Sequence, residues 1–213
     1  MINTFFMKKL FLLILLFQCD EIFAQTISKD YSREPESVYE VIVNGKLYSV
    51  AEGTELKVDS LLKPRITIRQ SANRKFENST LSFDYPKGLS FAYENEGVVR
   101  TWTLNGNDVI ILVLEMDVEV SLNEFTGEII DKFGKQNCQT IDVEKRLGGK
   151  ICEGKELVIK IAEQRVKYEC YSFKDKDGNS RFVFLQDTLD GERHTLEYER
   201  ISALVQTTVK FKQ

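Results

Sequence analysis

The stretch from Leu81 to Met116, LSFDYPKGLSFAYENEGVVRTWTLNGNDVIILVLEM, limits the possible folds more than any other part of the chain. Leu81, Phe83 and Tyr85 alternate with Ser82 and Asp84, Pro86 stops the run, and Lys87-Gly88 turns the chain into Leu89, Phe91 and Tyr93. Val99 to Leu104 is β-branched and aromatic, and Asn105-Gly106-Asn107-Asp108 supplies positions tolerant of positive φ. Val109 to Leu114 is almost wholly apolar, and a strand apolar on both faces belongs inside a sheet covered on both sides. The stretch reads as a β-meander, and other segments have to cover it.

On either side the pattern is strand-rich. Val38 to Val43 and Lys46 to Val50 flank Asn44-Gly45, a strong hairpin signal; Leu56-Lys57-Val58 reads as a short strand and Ile66-Thr67-Ile68 as another. Beyond the meander, Ser121-Leu122-Asn123-Glu124 fits a capping box opening a helix with Leu122, Phe125, Ile129, Ile130 and Phe133 on one stripe, ended by Gly134. Two hairpins follow, around Gly148-Gly149 and Asp177-Gly178. A second helix, capped by Thr195, places Leu196, Ile201, Leu204 and Val205 on one face. The expected fold is α+β: a central antiparallel sheet packed between two principal helices, with an N-terminal β-hairpin extension.

The chain's start carries an address. Lys8-Lys9, the apolar run Leu10 to Phe17 and Ile22-Phe23-Ala24 before Gln25 have the form of a signal peptide. The divisions that follow are a signal at 1–24, a flexible leader at 25–37, a β-rich extension at 38–75 and the main domain at 76–213. The expected location is the periplasm or the exterior, with no transmembrane helix after cleavage. Cys19 offers lipid anchoring as an alternative, disfavoured because Gln18 and Phe17 stand where lipoprotein processing wants small residues. A net charge of -4 argues against nucleic acid as a partner. Cleavage leaves Cys138, Cys152 and Cys170, an odd number on strands spaced for free thiols rather than a disulfide frame.

The order of elements carries a resemblance. Tyr85-Pro86 closing a short strand, a strand bearing Trp102, the apolar Val109 to Leu114, a helix opening at Ser121, the Leu147-Gly148 turn and a final helix running into Thr208-Val209-Lys210-Phe211 resemble the PsbP-like superfamily, which includes the DcrB-like envelope proteins. The likeness covers roughly residues 76–211. It implies an antiparallel sheet between helices and an accessory or binding role without a shared catalytic set.

Few residues present themselves for chemistry. Asp175, Asp177 and Asn179 have the spacing that begins a calcium loop, but Ser180 and Gln186 replace its glycine and its glutamate, which leaves a hairpin turn. Asp187, Asp190 and Glu192 crowd the approach to the second helix beside His194, and are the chain's metal candidate set as well as an ordinary solvated acidic cluster. Trp102 with Tyr93 is the candidate partner-binding pair, against the commoner reading of a core tryptophan. Lys145, Arg146 and Lys150 gather at a turn, the usual place for a wet rim. No phosphate loop, nucleophile elbow or zinc-protease motif is present, and no cofactor or catalytic residue is expected. The functional expectation is an exported accessory protein that binds an envelope or secreted partner. The alternatives are a small-ligand or lipid carrier with a pocket under the first helix, and a thiol or hydrolytic enzyme using His194 with a cysteine.

Overall fold

The computed structural model describes residues 30–59, 63–174 and 177–212. The signal-peptide reading, Cys19 and Asp175 lie outside them. In chain order the elements are β1 (Val38–Val43), β2 (Lys46–Ala51), β3 (Ile66–Gln70), β4 (Asn73–Glu77), β5 (Leu81–Pro86), β6 (Ser90–Asn95), β7 (Val99–Asn105) and β8 (Val109–Met116). Helix α1 (Leu122–Phe133) follows, then β9 (Cys138–Leu147), β10 (Lys150–Ile161), β11 (Gln164–Lys174), β12 (Ser180–Thr188), α2 (Leu196–Thr208) and β13 (Lys210–Phe211). They form three antiparallel sheets: β2-β1-β3, the seven-stranded β6-β7-β8-β12-β11-β10-β9, and β13-β5-β4.

The apolar β8 lies inside the large sheet, as its sequence requires, and pairs with β7 and β12. Each face then needs its own cover. Alternate residues put Leu112, Leu114, Leu157, Ile159, Phe182 and Phe184 on one face, beneath Phe125 and Ile129 of α1. Phe125 stacks on Phe182 at 4.8 Å and lies 5.0 Å from Phe184. The opposite face, with Trp102, Ile111, Val113 and Val183, is covered jointly by Ile201 and Val205 of α2 and by Phe76, Phe83 and Tyr85 of the small sheet.

This joint cover overturns the α+β expectation. The described residues are mainly β, with strand outweighing helix by 53% to 16%. Its three sheets replace the single sheet between two principal helices, and the PsbP-like layering implied by the resemblance is corrected with it. The reason lies in β4 and β5. The alternating apolar residues of β5 read as the first strand of the central meander, but β5 pairs with β4 and with the last strand, β13, and so makes a separate sheet. Smaller corrections follow. Residues 56–58 form no strand. Leu196 is 84% exposed, and Tyr198 takes its place on the buried side of α2. Ahead of β1, the Tyr31 carbonyl accepts the Trp102 indole N–H at 2.7 Å and Glu34 pairs with Arg74.

Both helix caps form as their residues dictate. Ser121 and Glu124 complete the capping box, and the Thr195 hydroxyl accepts from the Tyr198 amide. Between β9 and β10, Gly148 and Gly149 both take positive φ, the geometry of the tight hairpin turn. A Cβ on Gly148 would lie 2.4 Å from the Val209 carbonyl oxygen, so this turn can press against the start of β13 only with glycine there. Among the described residues no helix is long and apolar enough to cross a membrane.

One ladder of the large sheet stops short. β10 pairs with β9 from Lys150↔Leu147 onward, but with β11 only from Gly154↔Tyr171, although β11 continues to Lys174 against β12. Gly154 marks the junction: a Cβ there would fall 2.6 Å from the Tyr171 ring and 2.8 Å from the Cys170 carbonyl oxygen. Residues 150–153 and 172–174 thus form the two prongs of a fork.

Phe125 is the main apolar contact between α1 and the sheet. Phe125→Ala is expected to lower the unfolding free energy by about 3–5 kcal/mol, measured as a fall in urea midpoint at unchanged slope; a change under about 1 kcal/mol would show that α1 contributes little to closing this face.

Candidate functional site

The residues that could carry chemistry meet under the N-terminus of α2. Asp187, on β12, is fully buried. One carboxylate oxygen lies 2.6 Å from His194 Nδ1, and the other accepts the Thr195 hydroxyl at 2.7 Å. A carboxylate only accepts, so Nδ1 is the donor. Nε2 lies 3.3 Å from Lys167 Nζ, which only donates, so Nε2 accepts. Lys167 also pairs with Glu156 at 2.8 Å and approaches Glu169 at 3.8 Å. Glu169, 4% exposed, accepts from Lys145 at 2.6 Å and from the Tyr171 hydroxyl at 2.8 Å. The His194 ring stacks on Tyr198 at 4.4 Å.

Burial by itself would raise the Glu169 pKa, but hydrogen bonding and charge from Lys145, with the tyrosine hydroxyls nearby, outweigh it and hold the carboxyl below its ordinary range. Burial and the adjacent Glu169 charge push the Tyr171 and Tyr198 hydroxyls far up, so both stay protonated. The buried Tyr198 hydroxyl faces Glu169 without a hydrogen bond of ordinary geometry. This is a chain of donors and acceptors satisfied largely by one another. It joins β9, β10, β11 and β12 to α2.

The candidates read from sequence are divided by this arrangement. Asp187 and His194 come together; Asp190 and Glu192 do not join them. Asp190 forms a backbone bridge with Arg193, and Glu192, 88% exposed, holds Arg165 at 2.9 Å. Among the described residues no group of three or more His, Cys, Asp or Glu side chains is placed to hold a metal ion. Trp102 is only 2% exposed, sealed by Phe76, Tyr93 and the Tyr31 carbonyl, while Tyr93 is half-buried beside it on the edge strand β6. Cys138, Cys152 and Cys170 are free thiols. Cys170 lies on the α1 face of the sheet, opposite to His194, and burial raises its pKa well above the ordinary thiol value. Cys152 lies about 13 Å along β10 from Glu156, at the strand rise per residue.

Lys167 and Glu169 escape notice in the sequence, and Lys145, which reads as part of a wet rim, reaches the buried Glu169 instead. Lys167, Glu169 and Tyr171 alternate with Tyr168 and Cys170, a polar face that reads as solvated until α2 is laid over it.

The second feature is a groove at the fork, about 830 Å³ in volume, lying between the large sheet and the β13 end of the small one. Ile151, Phe173 and Phe211 supply its apolar surface, and Ile151 is 64% exposed. The cations Lys150, Lys174, Arg181 and Lys212 line it against the carboxylates of Glu153 and Asp177. Lys150 lies 5.3 Å above the Phe211 ring.

No family model matches the chain, and no curated protein matches it.

Because the folded Glu169 pKa is depressed, its ionisation contributes stability above the unfolded glutamate value of about 4.3, and that contribution is lost as pH falls through the folded value. Unfolding free energy measured across the acid range is therefore expected to fall more steeply for the native chain than for Glu169→Gln, with the two profiles converging at low pH. Parallel profiles would show that Glu169 is not held ionised by its neighbours.

Proposed function

We propose that the chain is an exported accessory domain of the cell envelope that binds a partner protein and performs no chemistry of its own. The observation that carries this reading is the commitment of the acid–base groups to each other. The lone pair that the Asp187–His194 couple would offer to a substrate proton is held by Lys167. A thiol mechanism would need a cysteine at that nitrogen, whereas Cys170 is across the sheet. A lipid carrier would need a hollow beneath α1, the layer that Phe125 and Ile129 occupy. The groove at the fork, by contrast, is open and amphipathic, with apolar and charged groups side by side. The signal-like residues 1–24 support the address, and the net charge of -4 supports a protein partner over nucleic acid.

Affinity purification of the tagged full-length protein from its native envelope fraction, with mass spectrometry of the protein and of what accompanies it, tests address and role together. The expected result is a chain beginning near Gln25 with a stoichiometric companion. A chain that remains in the cytosol, or that is recovered without a companion, would contradict the proposal.

A further inference from the structure

We infer that the fork between β10 and β11 is a slot for a short extended segment of a partner protein, one that carries acidic side chains and pairs its backbone with the open side of β10. The inference rests on the binding-module reading above and specifies what the groove takes.

The first argument comes from the ladders. The two-residue turns at Gly148-Gly149 and at 162–163 fix which residues of β10 exchange hydrogen bonds with which neighbour. Lys150 and Cys152 turn their main-chain groups toward β9; Ile151 and Glu153 turn theirs toward β11. The β10–β11 ladder ends at Gly154↔Tyr171, so the amides of Ile151 and Glu153 point into the opening beyond the last pairing. An open strand edge inside a groove favours an extended polypeptide, because a strand alone presents donors and acceptors at the matching spacing. Gly154 keeps the edge open. The Tyr171 ring lies where its side chain would be, and Tyr171 is held by Glu169, so the point at which the strands part is fixed by the buried network.

The second argument is chemical. Ile151, Phe173 and Phe211 offer apolar contacts to alternate residues of such a segment, and the lining holds Lys150, Lys174 and Lys212 against Glu153 and Asp177, while Arg181 is buried with its guanidinium on the Met116 and Ser180 carbonyls. Among the described residues Lys150 has no ion-pair partner. Lys174 pairs with Glu119 and Lys212 with Glu77, at side-chain exposures of 61%/70% and 32%/29%. An exposed pair such as Lys174–Glu119 is worth at most about 1 kcal/mol, so an incoming carboxylate can compete for Lys174, whereas Lys212 is also held by the Asn78 carbonyl at 2.6 Å. A basic segment would meet the cationic excess.

The test uses the full chain and a blocked synthetic peptide of alternating valine and glutamate, roughly eight residues long at about 3.3 Å per residue. Two control peptides carry lysine in place of glutamate, or N-methyl groups on alternate amides in both registers. Titration followed by backbone amide NMR is expected to show saturable binding of the valine–glutamate peptide, with shifts centred on residues 150–153 and 172–174. Both controls are expected to bind at least about tenfold more weakly. Ile151→Asp, at an exposed site that leaves the core untouched, is expected to weaken binding by a similar factor. Equal binding of either control, no saturation below about 1 mM, or capture of a fatty-acid anion where no peptide binds would overturn the inference. The two proposals fail separately. If a companion co-purifies equally with I151D, the slot assignment falls and the binding module stands. If the peptide occupies the slot but no companion is recovered from the envelope, the module reading falls and the slot's chemistry stands.

Discussion

The pairing of β8 with β12 is the constraint on which the rest of the structure depends. Both strands are buried nearly throughout, and a sheet apolar on both faces cannot leave either one to water. Everything else in the main body answers that demand. The amphipathic α1 closes one face with a single stripe, whereas the other face is broad enough to need α2 and a second sheet. Burying a large apolar side chain is worth about 1.5–3 kcal/mol, so a cover built from Phe76, Phe83, Tyr198 and Ile201 is a substantial share of the favourable term. It also brings β13, at the carboxyl end, back against β5.

Covering the second face puts α2 over the polar side of β11. Charged residues there have to be paired, since an uncompensated buried ion costs several kcal/mol. Lys145, Lys167, Glu156, Glu169, Asp187 and His194 supply the pairing in sequence, each satisfied by the next. Such a network gives little net stability compared with an apolar layer, yet it tolerates few alternative seatings of α2. The same network holds Tyr171 against Gly154, which links the register of the buried helix to the place where β10 and β11 separate. On the proposed function, the groups that resemble an active site belong to the scaffold, and the exposed fork is where a partner segment would bind.

How much of this was legible in the sequence follows from the range of the interactions involved. The β6 to β8 part of the meander, the capping box at Ser121, the Thr195 cap, the Asn44-Gly45 and Gly148-Gly149 turns and the apolar stripe of α1 are local patterns, and the structure contains each of them. The separation of β4 and β5 into their own sheet is decided by pairing with β13, well over a hundred residues away, and no local period reports it. Spacing alone turns Leu196 inward, but the first turn of α2 gives the buried position to Tyr198, whose ring stacks on His194. At the candidate site, Asp187 and His194 stood out because they crowd a helix start. Lys167 and Glu169 did not, because a period-two polar face looks the same whether water or a helix lies over it, and Lys145 stood out only as part of a solvated turn. The one local trace of the fork was Gly154, a glycine inside a strand, which commonly marks close approach of a neighbour.

Amide hydrogen exchange along β10 in the full-length protein tests the central claim that the large sheet is paired on both sides of this strand up to Gly154 and opens beyond it. One-sided pairing leaves a signature that fraying does not. The Lys150 and Cys152 amides, bonded to β9, are expected to exchange slowly while those of Ile151 and Glu153 exchange fast, and the alternation is expected to end after Gly154, with Lys155, Leu157 and Ile159 protected as well. Uniform protection from Lys150 to Ile161 would mean that the ladder is closed and that no open edge exists beyond Gly154.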